Sequence, residues 1–195
     1  MKYPKRKSLE GVTVHHGVVD GLIQAISPLN SFYQKQLTRF ELDQKKEWHP
    51  LKNLMGFMKE LEATGSRYSL EKIGATVAEN AIWPDNIQTF IEAISSIDHA
   101  YHMNHQRDGQ PLYDYANNQP IEGYIGHDVL TIDEATNTAI YECGSFYPCD
   151  FDKGMTKALA RTFKPNGKTI VNVVHDDSKP CRKLGGDTCT FIIQL

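Results

Sequence analysis

The sequence predicts an α+β fold, with α/β character, in which an N-terminal helical half packs on a small antiparallel sheet with a crossing helix. Three observations predict it. Residues 18–101 carry apolar side chains at helical spacing, later segments alternate between apolar and polar side chains as strands do, and one amphipathic segment lies between those strands. A polar loop over 106–120 separates the halves. We therefore predict one domain over 1–195, with a helical part at 1–105 and an α/β part at 120–195.

The helical half contains five predicted helices. Apolar spacing predicts four of them in the first 81 residues, with Pro28 after the first and Gly65 after the third: 18–26, 32–42, 51–61 and 69–81. The fifth is the most regular, because Pro84 suits a first helical turn and a single apolar face follows it at a spacing of 3.6 residues: Ile87, Phe90, Ile91, Ile94, Ile97 and Tyr101.

The α/β part contains four predicted strands and one helix. Alternation predicts strands over 121–130 and 138–142, and an amphipathic helix over 152–163 ends before Pro165. Two β-branched segments follow, at 169–174 and 188–193. The segment between them, residues 176–187 with Pro180, Gly185 and Gly186, is too long for a tight hairpin and suits a loop folded around an ion.

Composition excludes several classes of function. The net charge of -3 provides no broad cationic field, so we expect neither nucleic acid nor a membrane as partner. The basic segment 2–7 is not followed by the apolar run of a signal peptide, and no stretch approaches the roughly 18 apolar residues of a membrane span. These observations predict a cytoplasmic protein. Walker, dinucleotide and G-x-S-x-G motifs are absent, and Asp150 and Asp152 suit a helix start, so we do not expect an enzyme.

The four cysteines are the main candidates for chemistry. Disulfides are rare in a reducing compartment, so cysteine spacing there indicates metal or redox chemistry. Cys181 and Cys189 form a C-x7-C pair around the glycine-containing loop. Cys149 directly precedes a predicted helix, whose N-terminal partial charge favours a thiolate. These three cysteines predict a metal site, most simply zinc, which needs four ligands in a structural site.

The fourth ligand is open from the sequence. His175 ends the strand that leads into the loop and is the first choice, while Cys143, Asp177 or a water molecule are the alternatives. An iron-sulfur cluster held by all four cysteines is a further possibility, because Cys143 would complete that set.

Several motifs resemble those of a 4-vinyl reductase-type domain over about residues 120–195: Tyr147-Pro148-Cys149, the helix 154–163, the segment 175–181, Gly185-Gly186-Asp187 and Cys189-Thr190-Phe191. The resemblance implies a superfamily fold shared with haem nitric oxide sensors, TRAPP transport subunits and phenol-responsive activators. In the activators it implies a zinc ion held by three cysteines and a glutamate beside an apolar pocket. This chain departs from that pattern, since Ser178 stands at the glutamate position unless a three-residue insertion brings His175 there.

The resemblance and the aromatic residues together predict a ligand pocket. Tyrosine hydroxyls in an apolar cavity would orient a small aromatic or apolar ligand with a polar end. The candidate pocket residues are Ile94, Tyr101, Tyr124, Phe146 and Tyr147. The sequence thus predicts a small-molecule sensor with a structural zinc, acting as a homodimer through a signalling partner. A non-enzymatic dimeric scaffold resembling the TRAPP subunits is an alternative.

A haem-based gas sensor is the other alternative. Helical geometry places His105 on the apolar face of the fifth helix and His102 at its edge, so either could be an axial ligand. The resemblance implies that related haem sensors carry their proximal histidine in this region and hold the propionates with a Y-x-S-x-R motif. The matching stretch here, residues 141–145, lacks the arginine.

Overall fold

The computed structural model confirms the predicted α+β class. It describes residues 8–26, 30–64, 67–81, 83–133, 135–164 and 171–194, without the side chains of residues 30 and 67–69. The predictions that rest on Pro28, Gly65, Pro165 and the start of the strand at 169–174 lie outside the described residues. The elements follow in chain order: β1 (Val12–His15), α1 (His16–Ala25), α2 (Asn30–Arg39), β2 (Trp48–Pro50), α3 (Leu51–Ala63), α4 (Arg67–Asn80), α5 (Phe90–Met103), β3 (His105–Arg107), β4 (Gln110–Pro111), β5 (Tyr113–Asp114), β6 (Gln119–Pro120), β7 (Asp128–Asp133), β8 (Thr138–Cys143), α6 (Cys149–Phe163), β9 (Val173–His175), a 3-10 turn (Arg182–Leu184) and β10 (Cys189–Gln194).

The C-terminal sheet is antiparallel, with strand order β7-β8-β10-β9. Its register places Cys189 opposite Cys143, and Phe191 opposite His175. The first strand of this sheet begins at Asp128, so the sequence-based start at residue 121 was too early. The register fixes the cysteine and histidine positions on which the site depends.

A second sheet, in the order β2-β1-β3-β4, and the β5-β6 hairpin were not predicted. Their strands are two to four residues long, as in Val12–His15 and Gln110–Pro111. Alternation over so few residues is not distinguishable from a loop.

Helix α5 begins at Phe90 rather than at Ile87, because a capping box sets its N-terminus. The Thr89 side chain accepts a hydrogen bond from the Glu92 amide at 3.2 Å, and the Glu92 carboxylate accepts one from the Thr89 amide at 2.8 Å. Pro84 therefore lies in the preceding loop. The cap fixes the register of α5 and hence the direction in which Tyr101 and His105 face.

Helices α4 and α6 pack with their backbones in contact. A Cβ atom at Gly74 would overlap the carbonyl oxygen of Phe151, and one at Gly154 would overlap that of Glu71. Only glycine permits this approach. The close crossing holds the N-terminus of α6 between the C-terminal sheet and the helical half, and that position brings Cys149 to the metal-ligand cluster and Asp152 to a cavity.

The buried side chains form two clusters. One, around Leu54, Phe57 and Tyr147, fills the helical half, and the other, around Phe90, Tyr141 and Phe191, lies between the sheet, α5 and α6. The division into parts at 1–105 and 120–195 stays a prediction. Within the described residues, every helix is too short or too polar to cross a bilayer.

Candidate functional site

Three cysteines and one histidine converge where α6, β9, β10 and the loop after β9 meet. The four possible ligand atoms of Cys149, His175, Cys181 and Cys189 all lie within 4.8 Å of one another. The Cys181 sulfur lies 4.0 Å from that of Cys149 and 3.7 Å from that of Cys189. A tetrahedral ion with metal–sulfur bonds of about 2.3 Å requires sulfur–sulfur distances of about 3.8 Å. The sulfur positions therefore match a tetrahedral metal site.

His175 is oriented for the same role. Its Nδ1 lies 2.7 Å from the Asp177 carboxylate, while its Nε2 is buried and has no hydrogen-bond partner within the described part of the chain. A carboxylate on one ring nitrogen fixes the tautomer that leaves the other nitrogen as a lone pair for a metal. Asp177, an alternative ligand from the sequence, thus contacts the histidine instead.

Arg182 contributes to the electrostatics of the cluster. Its backbone amide and its Nε both lie 3.3 Å from the Cys189 sulfur. A hydrogen bond from Cys149, followed by the nearby Arg182 charge, lowers the pKa of Cys189 to about 3. The same hydrogen bond raises the pKa of Cys149. A surface cleft of about 540 Å³ borders Cys149, His175 and Cys181 and gives an ion access to the thiols.

Cys143 lies beside the cluster but is not part of it. It faces Cys189 across the β8–β10 pair and is fully buried in the second core, where burial raises the pKa of its thiol well above the usual value. Of the two main alternatives for the fourth ligand, the structure brings His175 to the other three ligands and leaves Cys143 outside.

A cavity of about 190 Å³ lies where α1, α4, α5 and α6 meet. Tyr101 and Tyr147, two of the predicted pocket residues, line it. The other three lie elsewhere: Ile94 is in the second core, Phe146 borders a different surface pocket, and Tyr124 is 38% exposed. The remaining wall is largely apolar and includes Val18, Val77, Ala78, Trp83, Ile97, Phe151 and Met155.

His105 also lines this cavity. Its Nδ1 lies 2.5 Å from the Tyr101 carbonyl oxygen and its Nε2 lies 3.3 Å from the Tyr147 hydroxyl. The carbonyl can only accept, so Nδ1 carries the proton and Nε2 presents its lone pair. Burial lowers the pKa of His105 to about 4, which keeps the ring neutral.

His102, the other candidate haem ligand, faces away from the cavity. Its ring stacks on that of His127 at 4.6 Å, and its Nδ1 lies 2.8 Å from the Asp98 carbonyl oxygen. Asp98, His102 and His127 form a second group whose ligand atoms are close enough for a metal.

Buried charges form one wall of the cavity. Asp128 and Asp152 both line it, and the Arg182 guanidinium donates to Asp152 and to the Ser145 carbonyl oxygen, the latter at 2.7 Å. The sequence interpretation missed Asp128 and Arg182 and took Asp152 as a helix start. The sequence did indicate that Asp152 is buried, because helical spacing places it on the same face of α6 as the buried Thr156 and Leu159.

Comparisons with known proteins were made by sequence and by structure. No protein-family model matches the chain, and no curated protein is significantly similar to it.

Solved structures are similar to it in fold. An H-NOX protein from S. oneidensis in the Fe(II)NO state superposes with a TM-score of 0.62 at 14% identity, covering 93% of this chain and 98% of that one. A structure on H-NOX activation gives 0.55 at 12% identity, covering 91% and 94%. A structure on haem redox potential and porphyrin distortion gives 0.58 at 12% identity, covering 93% and 99%.

These comparisons correct the sequence-based family assignment. The assignment to 4-vinyl reductase-type domains was wrong, since the structural neighbours are H-NOX domains. Zinc as the basis of the function also lacks support from these neighbours, whose descriptions name an Fe(II)NO state and a haem. At these identities the likeness establishes an H-NOX-like fold.

Proposed function

We propose that this chain is a ligand-sensing module that binds a small molecule in the cavity between α1, α4, α5 and α6. The cavity itself carries the proposal: it is largely apolar, and the side chains of Tyr101, His105 and Tyr147 are part of its lining. Its volume of about 190 Å³ slightly exceeds the roughly 150 Å³ of an apolar cavity that binds benzene. A ligand with one aromatic ring therefore suits it.

The H-NOX-like fold supports a sensor rather than a scaffold, because neighbours of this fold include a protein with a bound gas. Signalling through a partner protein and homodimerisation are part of the proposal. The cytoplasmic location stays a prediction from the sequence.

We expect toluene to bind in the cavity of the wild-type protein and to raise its melting temperature with the logarithm of ligand concentration once the site is mostly occupied. Ala78 lines the cavity, so Ala78→Leu should fill it and abolish the shift. Ala116→Leu, at an exposed position, is the control and should leave the shift unchanged. Equal toluene stabilisation of all three proteins would contradict binding in this cavity.

Haem-based gas sensing is the second candidate, and the structural neighbours favour it over the zinc-centred interpretation. His105 is the residue that would hold the iron, through Nε2, with its other nitrogen fixed by the Tyr101 carbonyl oxygen. A bound haem would supply an open coordination position for a gas.

The fit of a haem to the described residues is partial. The chemistry of His105 suits an axial ligand because the ring is buried, neutral and correctly protonated. The cavity of about 190 Å³ is smaller than the roughly 300–1,000 Å³ of most cofactor and ligand sites. Its described lining contains no Lys or Arg for the propionates. The Tyr147 hydroxyl also has to leave Nε2 of His105 before that nitrogen can bind iron.

Titration with hemin tests this candidate. If it is right, one haem binds per chain with a Soret band, His105→Ala loses that band, and His102→Ala keeps it because His102 faces away from the cavity. The absence of a Soret band in the wild type, or its retention in His105→Ala, would exclude His105 as the haem ligand.

We also propose that Cys149, His175, Cys181 and Cys189 hold one tetrahedral metal ion. Zinc suits this donor set best, because it takes thiolate and imidazole ligands in closed four-coordinate structural sites. The sulfur–sulfur distances of 3.7 Å and 4.0 Å and the unpartnered Nε2 of His175 support the proposal. Such an ion would fix the loop 176–187 beside α6.

A further inference from the structure

We propose that the ligand of this cavity is a small aromatic or apolar amine, whose ammonium group binds to the unpartnered carboxylate oxygen of Asp152. This inference rests on the proposed sensing function and specifies the chemical class of its ligand. It follows from the unequal charges of the cavity wall and from one unsatisfied buried acceptor on a residue that lines it.

The acceptor is Oδ1 of Asp152. The residue is only 1% exposed, and its other oxygen, Oδ2, accepts from the Arg182 guanidinium. Oδ1 is buried and has no hydrogen-bond partner in the described ranges of the chain. A buried carboxylate oxygen without a donor is costly, so a ligand that supplies an N–H or O–H group there gains that free energy.

The second carboxylate of the wall is already satisfied. Asp128 Oδ1 accepts from the Gly144 amide at 2.9 Å, and its Oδ2 accepts from the Tyr141 hydroxyl at 3.0 Å. These donors are neutral, so they complete the hydrogen bonds of Asp128 without balancing its charge. Asp152 is thus the carboxylate with a free acceptor.

The charges in this region do not balance. Two carboxylates, of Asp128 and Asp152, face one guanidinium, that of Arg182, which also donates to the Cys189 sulfur. The described lining residues include no Lys or Arg, and His105 is neutral because burial lowers its pKa to about 4. A cationic ligand restores neutrality, whereas an anionic ligand adds a third negative charge.

The remaining wall defines the rest of the ligand. Apart from the two carboxylates it is made largely of aromatic and aliphatic side chains, including Trp83, Phe151 and Met155. Aromatic faces favour a cation beside them as well as an apolar body. The volume limits that body to about one ring. Benzylamine has this size and charge and serves as the probe.

The test is a charge series on one ring in the wild-type protein at pH 8, measured by calorimetry and by ligand-detected NMR. Burial raises the pKa of Asp152 to about 7, so its carboxyl group is mostly ionised at this pH. We expect benzylamine to bind about tenfold more tightly than toluene, from a charged hydrogen bond of about 1.5 kcal/mol, with benzyl alcohol between them and benzoate weakest.

Asp152→Asn should remove the preference for benzylamine over toluene. Asp150→Asn is the matched control, since Asp150 lies on the same helix, pairs with Lys183 and does not line the cavity. It should keep the preference. If Asp152→Asn does not fold, the wild-type series alone still decides the question.

The outcomes separate the two proposals. Binding of toluene without tighter binding of benzylamine would overturn the amine inference and leave the sensing function standing. Binding of neither compound would contradict the sensing function itself. Equal loss of the preference in Asp150→Asn would show that Asp152 is not the recognition group.

Discussion

Replacing Arg182 by Gln should lower the free energy of unfolding by about 3–5 kcal/mol at pH 8, because it leaves buried carboxylates without their counter-charge. The Arg182 side chain is 6% exposed and that of Asp152 is 1% exposed. The substitution removes the hydrogen bonds to Asp152, to the Ser145 carbonyl oxygen and to the Cys189 sulfur together. Urea denaturation of the purified protein measures the loss.

The control for this substitution is Arg161→Gln on α6, the helix that carries Asp152. Arg161 pairs with Glu79, and the two side chains are 58% and 49% exposed. An exposed pair of this kind contributes about 0–1 kcal/mol, so this variant should be nearly as stable as the wild type. A similar loss in both variants would show that charge at the buried site is not the cause.

The loss of unfolding free energy in Arg182→Gln should also depend on pH and should be larger at high pH. Burial raises the pKa of Asp152 to about 7 and that of Asp128 to about 6, both above the ordinary value of 3.8. In the pH range from 3.8 up to these raised pKa values, the folded state binds more protons than the unfolded state. The free energy of unfolding therefore falls as the pH rises through this range. Without Arg182 the carboxyl pKa values rise further. The destabilisation should therefore be larger at pH 8 than at pH 5, and an equal loss at both values would contradict this cause.

The sequence predicted the long elements and missed the short ones for a physical reason. Helices α3 and α5 each present several apolar residues at a spacing of 3.6, so their periodicity is visible over four turns. Strands β1 to β3 are stabilised by pairing between distant segments, as in the Val14–His49 and Val14–His105 pairs. No local pattern carries that information.

The two candidate sites differ in how far the sequence predicts them. Cys149, His175 and Cys189 lie at or near the ends of predicted elements, and Cys181 lies in the predicted loop between two strands, so the sequence order indicated that they could approach one another. The cavity is lined by residues of four helices and of several loops from separate parts of the chain, and its volume depends on side-chain packing. Tyr101 and Tyr147 were predicted for it because they are aromatic, but the residues that give it charge were not.

Replacing Cys189 by Ser should reduce the metal content from one ion per chain to a substoichiometric amount, and it should destabilise the fold through the loop 176–187. The variant removes one of three thiolates, and structural zinc contributes directly to folding free energy. His175→Ala should have the same effect. Elemental analysis of dialysed protein and the spectrum of a cobalt-substituted sample measure the outcome.

Cys143→Ser provides the matched control for that loss. Cys143 is buried beside Cys189 but lies outside the four-residue cluster, so this variant should keep its full metal content. Asp177→Asn should bind the metal about 10–100-fold more weakly, because Asp177 orients the His175 ring at 2.7 Å without contacting the ion. Loss of metal in Cys143→Ser together with retention in His175→Ala would identify a four-cysteine site instead. A metal-free wild type would exclude the site altogether.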